Sequence, residues 1–432
     1  MKIIICLSIF IIFFSVSKAQ QVLTPEEAVS IALKNNYDIL VSRNDAKIDS
    51  VNNTPGNAGM LPNIAVTGSD NYSPTVNIDQ QPSSGPLISS SNAKTNTLNA
   101  GINLNWTLFD GGKMFVTKNK LNQIQALGEL QFKDQVLQTV YNIVLAYYDV
   151  VRQKQQLTSI NKVISYNLDR VKITQTMFDA GLSAKTNLLQ AKIDLNVFQE
   201  NAINQQAVIV AAKRTLNQLL SRGVDLPFEV ADSIILNYAP DKKMLAQKLD
   251  SANTTIRSFQ KQVDIANLTV KEMNTLRLPR LSFNAGYDFS QSNTSVGTTL
   301  MTRTYGPVVG GSLTIPIYQA GNVNRQVKTA KIQYQSAQYD LENTKLLVSE
   351  QLQNAITQFE NQQQLLTIEK DNAVLAKENL DIIIQRLRFG QTTSLEVTQA
   401  EANFVESLTR LVNFEYNLKV AETKLKQLLA QF

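Results

Sequence analysis

Histidine is absent from this chain, and cysteine occurs once, at position 6. Without an imidazole, Ser–His and Cys–His nucleophilic catalysis and histidine acid–base chemistry are excluded. Metal binding is left with carboxylates and amides alone, and neither a metal nor a cofactor is expected. Charge is thin, at 18% of 432 residues, and there are only 17 glycines. No clustered carboxylate pair offers an acid–base site, so an enzyme is not expected. No basic cluster stands out, which argues against a nucleic-acid partner. Beyond the first segment, no apolar run approaches the length of a transmembrane helix.

That first segment has a basic start at Lys2, an apolar run from Ile3 to Phe14, and small residues at Ser17 and Ala19. This is the pattern of a secretory signal peptide spanning 1–19, cleaved after Ala19. A membrane anchor would need ~20 apolar residues, more than the run supplies. Cleavage removes Lys2 and Lys18, lowering the formal charge from +5 to +3, and removes Cys6 with them.

Most of the remaining chain reads as helix. Gly and Pro are nearly absent from Lys113 to Ala180, Asn187 to Ser221, Met244 to Leu276 and Asn322 to Phe389. Apolar residues recur every three or four positions; Leu157, Ile160, Ile164, Leu168 and Val171 form one such seam, the signature of helices packed side by side. At ~1.5 Å per residue, Lys113 to Phe178 would span ~100 Å if unbroken.

Four short stretches have the opposite period. Leu98, Ala100, Ile102, Leu104, Trp106 and Leu108 alternate with polar residues, as do Leu281, Phe283, Ala285, Tyr287 and Phe289. Tyr305 to Ile317 and, more weakly, Ile64 to Tyr72 follow suit. Such alternation predicts strands with one apolar and one polar face. They would either form a small sheet packed on helices or face lipid, with Trp106, Tyr287, Phe289 and Tyr305 as interfacial aromatics. Ser73 to Asn96 and Gln291 to Thr302 read as exposed loops.

The chain also repeats itself. Leu104 to Gly112 corresponds to Leu313 to Gly321, and Phe178-Asp-Ala-Gly181 to Leu387-Arg-Phe-Gly390, both 209 residues apart. Leu61-Pro62 corresponds to Leu278-Pro279, 217 residues on, as does Asn36 to Asn253. Agreement between separated landmarks indicates duplication. The expected organisation is a first repeat at 20–220, a connecting segment at 221–243 and a second repeat at 244–432. Each repeat reads helix, strand, loop, strand, long helix, turn, long helix. Four amphipathic strands cannot close a membrane barrel, so several chains would have to share one.

With these landmarks in this order, the sequence resembles the TolC-like family of outer-membrane efflux channels. The match starts at Leu23-Thr-Pro-Glu-Glu and includes the strand starts at Pro62 and Pro279. It continues through the junctions Leu108-Phe-Asp-Gly-Gly112 and Pro316-Ile-Tyr-Gln-Ala-Gly321 to the turns around Gly181 and Gly390. The resemblance implies a mainly α fold with a small β part. Long antiparallel coiled-coil helices would form a periplasmic α-barrel, and four strands per chain would join a 12-stranded transmembrane β-barrel in a homotrimer. It also implies the outer membrane of a Gram-negative bacterium, with a long periplasmic portion. The partners would be outer-membrane lipid, a periplasmic membrane-fusion adaptor and an inner-membrane pump, and the channel would serve tripartite efflux or type I secretion. The alternative from another class is a secreted helical coiled-coil scaffold or adhesin.

Several residues stand out. Thr24-Pro-Glu-Glu27 reads as a capped helix start. Gly181 and Gly390 read as glycine helix stops; the resemblance makes these turns, with Leu182 and Gln391, the tips that contact the adaptor. Glu396 and Gln399 follow the second turn, Asn187 and Gln190 the first, and each pair shares a helix face. The resemblance places these at the pore entrance, with only Glu396 acidic. Thr393-Ser-Leu-Glu396 is equally a capping box. Some relatives latch the entrance with a Tyr and an Arg where this chain has Leu387 and Thr392.

Overall fold

The computed structural model describes residues 22–432; the expected signal peptide lies outside them. In chain order the elements are β1 (Val22–Leu23), α1 (Pro25–Asn35), α2 (Tyr37–Asn52), β2 (Asn63–Gln80), β3 (Ile88–Asp110), α3 (Lys113–Asp179) and α4 (Lys185–Leu219). There follow β4 (Glu229–Val230), α5 (Lys242–Ala252), α6 (Thr254–Thr275), β5 (Arg280–Thr294), β6 (Met301–Thr314), α7 (Asn322–Arg388) and α8 (Ser394–Leu428). The helices α3 and α7 are each 67 residues long, and α4 and α8 each 35.

Local chemistry fixes the shorter helices. Thr24 caps α1: its hydroxyl accepts from Glu27 N at 3.1 Å, and the Glu27 carboxylate accepts from Thr24 N at 3.1 Å. This is the reciprocal pairing the sequence predicts. Asn36 separates α1 from α2, accepting from Ile39 N at 3.2 Å and donating to the Leu219 carbonyl at 2.8 Å. Its counterpart Asn253 separates α5 from α6 and accepts from Ile256 N at 3.0 Å. The uninterrupted stretch expected from Met244 to Leu276 is therefore two helices, because an Asn can satisfy the backbone of a new helix start.

The chain forms two compact units, and both draw on both halves of the sequence. Among the described residues, one comprises 22–41, Gln135–Ala252 and Ser349–Phe432; the other comprises Ser42–Asp134 and Asn253–Val348.

In the first unit, β1 pairs in parallel with β4, Leu23 opposite Val230. The buried Tyr147 hydroxyl donates to the Leu23 carbonyl at 2.8 Å and accepts from Ala231 N at 3.2 Å. It thereby ties both short strands to α3, each bond contributing a net ~1 kcal/mol. A second core gathers Val163 of α3, Leu380, Ile384 and Leu387 of α7, and Val397, Ala400 and Phe404 of α8. The helix seam differs from expectation. Leu157, Ile160, Ile164 and Val171 are only half-buried and Leu168 is exposed, whereas Ser159, Val163, Asn167, Arg170 and Thr174 are buried. Most of that stripe is polar, and it satisfies itself along the helix: Asn167 donates to the Val163 carbonyl at 3.1 Å, and Thr174 to the Arg170 carbonyl at 2.8 Å.

In the second unit the strands form one antiparallel sheet in the order β2-β3-β5-β6. The central pairing, β3 with β5, joins the two halves of the sequence. The strands are longer than the alternation indicates. Much of the expected loop Ser73 to Asn96 is strand, with register shifts between Ser73 and Val76 and between Val76 and Ile78. Pro74 falls within the first shift, where a missing N–H does no harm. On the other hairpin, β5 runs to Thr294 and β6 begins at Met301, so only 295–300 connect them. At its far end β6 stops at Thr314, short of the expected Ile317.

Candidate functional site

The sheet has an inverted amphipathic character. Val66, Ile102, Tyr287 and Pro307 lie in one row across the four strands, and Ile64, Leu104, Ala285 and Val309 in the next. On this apolar face Val66, Ile102, Tyr287, Tyr305 and Leu313 are exposed. A sheet of a water-soluble domain packs this face into a core and turns the polar one to solvent.

The opposite face is mainly polar, with Ala65 and Val308 in the row of Asn103 and Gly286 as its apolar exceptions. Asn99 accepts from the Ser290 hydroxyl at 2.8 Å, Thr97 and Ser292 hydroxyls lie 3.2 Å apart, and Asn103 donates to Thr67 at 3.3 Å. One row reads Thr67, Gly101, Asp288, Gly306, so Asp288 stands between two glycines. A Cβ at Gly101 would collide with the Asp288 carboxylate, and one at Gly286 would lie 2.7 Å from the Ile102 carbonyl. Glycine here makes room for the larger polar neighbour. Both outer strands, β2 and β6, have one paired neighbour each among the described residues, leaving an edge of free backbone groups on either side.

The two hairpin turns lie in the first unit. Gly181 and Gly390 have φ of +71° and +68°, which only glycine adopts without steric cost. Leu182 N donates to the Met177 carbonyl at 2.7 Å, and Gln391 N to the Arg386 carbonyl at 2.9 Å. Leu182 and Gln391 are exposed, as is Phe389 beside the second turn. A Cβ at Gly390 would lie 3.7 Å from Met177 Cε, so the second turn approaches the end of α3.

The four residues that follow the turns are each engaged by partners three or four positions away along the chain. Asn187 donates to the Ser183 hydroxyl at 3.2 Å, Gln190 to Asp194 at 2.7 Å, and Gln399 to Asn403 at 2.9 Å. Glu396 completes the capping box of α8, its carboxylate accepting from Thr393 N at 3.2 Å and from the Thr392 hydroxyl. The Thr392 hydroxyl chiefly, then the Thr393 N–H and the nearby Arg386 charge, hold this carboxyl below its ordinary value. Leu387 is buried in the apolar core, and the Thr392 hydroxyl donates to Glu396.

A further cluster escapes the sequence reading. Arg170 of α3 is fully buried; its Nη1 donates to Asp194 of α4 at 2.8 Å and to Glu401 of α8 at 2.7 Å. Its Nη2 donates to the Ser394 hydroxyl at 2.8 Å and to the Thr398 hydroxyl at 3.0 Å. Thr398 donates in turn to Asp194 at 3.1 Å. The only sequence signal is that Arg170 occupies the Val163-Asn167-Arg170-Thr174 stripe, spaced four, three and four.

Comparison with known proteins accords with this geometry. The chain is 25% identical over 395 residues to the outer membrane efflux protein BepC of Brucella suis biovar 1 (strain 1330), covering 90% of this chain and 81% of that protein. It is 24% identical over 352 residues to the outer membrane protein TolC of Escherichia coli (strain K12), covering 78% and 70%. The solved structure of the outer membrane protein VceC from Vibrio cholerae superposes with a TM-score of 0.76 at 16% identity, covering 94% of this chain and 95% of that one. The fold is that of an outer-membrane channel, mainly α-helical with a small antiparallel β part. The outer membrane efflux protein family model matches residues 28–222 and again 245–431, and the chain belongs to that family.

Proposed function

We propose that this protein is the outer-membrane exit duct of a tripartite efflux or type I secretion system, a homotrimer whose three sheets close one 12-stranded barrel. The observation that carries the reading is the sheet: its apolar face is left exposed rather than packed into a core, its polar face carries cross-strand hydrogen bonds, and both its edges are open among the described residues. In lipid an open edge leaves backbone groups unpaired, so the edges must meet other copies. The exposed apolar residues Leu189, Ile193 and Val197 on α4, and Leu346, Leu347 and Val374 on α7, would pack against those copies in the same way. The long helices would form the periplasmic portion. The turns at Gly181–Leu182 and Gly390–Gln391 would meet a membrane-fusion adaptor and, through it, an inner-membrane pump. Glu396, Gln399, Asn187 and Gln190 would line the entrance, with Glu396 doubling as a helix cap. Two repeats, 20–220 and 244–432, joined by 221–243, account for the paired long helices. A secreted scaffold or adhesin finds no support in the family match.

The mass of the detergent-extracted complex tests the assembly: three chains recovered from the outer membrane are expected, and a soluble monomer would refute the reading. Leu104→Arg should cost roughly 2–4 kcal/mol if that row faces the bilayer midplane, with Asn103→Arg tolerated. Equal assembly of the two variants would put the sheet outside lipid.

A further inference from the structure

The Arg170 cluster is unbalanced. Two carboxylates, Asp194 and Glu401, share one guanidinium, with side chains 13%, 1% and 1% exposed respectively. Buried charges are costly to desolvate, and full pairing is what offsets that cost. Here the pairing is incomplete: Glu401 Oε1 and Arg170 Nε have no hydrogen-bond partner. The cluster also joins separate elements. Arg170 lies near the end of α3, Asp194 on α4, and Ser394, Thr398 and Glu401 in the first two turns of α8, so it spans both helical hairpins beside their turns.

We propose that this cluster is a proton-operated clamp between the hairpins: with a proton on Glu401 the two turns are held together, and release of that proton favours their separation. The proposal rests on the reading of these turns as the inner mouth of the channel. Protonated, Glu401 is neutral, Arg170 and Asp194 balance, and the buried cluster carries no net charge. Deprotonated, the cluster holds a surplus negative charge that only water can stabilise, and water reaches it when α8 moves away from α3 and α4. The groups facing Glu401 are Arg170 from α3 and Asp194 from α4. On α7, Leu380, Ile384 and Leu387 add only apolar side chains to the adjoining core. The ionisable Lys377 and Asp381 of α7 pair with each other at 2.6 Å, and Asp381 also accepts from Tyr166 at 2.9 Å.

The protonation chemistry supports the geometry. Burial pushes the Glu401 carboxyl up to about 7 from 4.5; the Arg170 charge and hydrogen bond oppose the rise, and the Asp194 charge adds to it. A group whose value is raised in the packed state stabilises that state below its exposed value and loses the effect as pH rises through the packed one. The clamped arrangement is therefore favoured in mild acid and weakens between about pH 4.5 and about 7. Within that window each pH unit should shift the open-to-closed ratio about tenfold per chain.

The test uses the exported protein with Leu182→Cys and Gln391→Cys, spin-labelled at both turns, with single-channel recordings in parallel. The distance between the turns should lengthen, and the open fraction rise, from pH 4.5 to 7, with no further change above. Glu401→Gln should hold the acid-form distance and open fraction at every pH. Asp194→Asn removes the competing negative charge, lowers the packed value of Glu401, and should end the transition at lower pH with a smaller total change. The proposal is overturned if Glu401→Gln keeps the wild-type pH response, or if the wild-type distance does not move with pH. Absence of any channel activity would instead sink the exit-duct reading, while the distances would still decide the clamp.

Discussion

The two hairpin turns have the same backbone and different supports. Both stop a 67-residue helix with a left-handed glycine, and both return an N–H to the last helical turn with matching geometry. The helices that follow begin differently. Thr393 and Glu396 cap α8 reciprocally, and Glu396 places a negative charge at the positive end of the helix. Ala184 precedes α4 with no side-chain cap, and the first residue of α4 is Lys185, the wrong sign for that end. The start of α4 relies instead on packing, through the buried Leu188 and Ala191. Duplication thus preserved the turn while the cap is present on one copy only, and the first turn of α4 should fray more readily than that of α8.

The largest expected effect comes from removing the side chain that reaches both hairpins. Arg170→Met leaves Asp194 and Glu401 buried without their cation and should cost about 3–5 kcal/mol in unfolding of the detergent-solubilised protein. Adding Asp194→Asn and Glu401→Gln should recover most of that loss. If it does not, the cluster is held by packing rather than charge.

Next come the glycines. Gly181→Ala and Gly390→Ala each force a Cβ into the left-handed region, costing roughly 1–2 kcal/mol. A Cβ at Gly390 would make only an ordinary contact with Met177, so the two losses should match. A clear inequality in thermal unfolding would break the equivalence of the turns.

The caps separate them. Thr393→Ala should cost about 1 kcal/mol and Ala184→Ser should return somewhat less, since Ser is a strong N-cap. Hydrogen exchange at the first-turn amides of α4 and α8 reads both, and the two variants together should reverse the order of protection.

The smallest effect belongs to Glu396. Its carboxyl is held below its ordinary value, so its support for α8 is present above that value and disappears as pH falls through the lowered one. Glu396→Gln should fold normally at neutral pH, because Gln also serves at this capping position, and should flatten the acid sensitivity of α8. In single-channel recordings the same variant should show partly reduced cation selectivity. Unchanged selectivity would leave Glu396 a cap alone.

The features legible in the sequence are those whose signal is local. The long helices follow from the absence of Gly and Pro, the strands from strict alternation, and the caps at Thr24 and Thr393 from residues three apart. The glycine stops at 181 and 390 are equally local. What escaped depends on distant partners or broken patterns. The strand segments within Ser73 to Asn96 are built from Ser, Asn, Thr and Pro, and two register shifts interrupt their period. The buried stripe of α3 is polar and satisfies its own carbonyls, so hydrophobicity points to the wrong face. Arg170 finds Asp194 across 24 positions and Glu401 across 231, distances at which no spacing rule operates.

The pairing of β3 with β5 sets the order in which this molecule can be made. Asn99 lies opposite Ser290, and every neighbouring pair on that seam is as remote in sequence. The hairpins β2–β3 and β5–β6 can each close early, because short loops cost little entropy. The seam between them must wait until nearly half the chain has been looped together, and until then four strand edges stand open rather than two. Folding of this chain should therefore be slow and vulnerable to self-association late in its course, when preformed hairpins search for one another. On the proposed trimeric reading the final two edges, on β2 and β6, would be sealed by other copies, which would make completion of the sheet a concentration-dependent step.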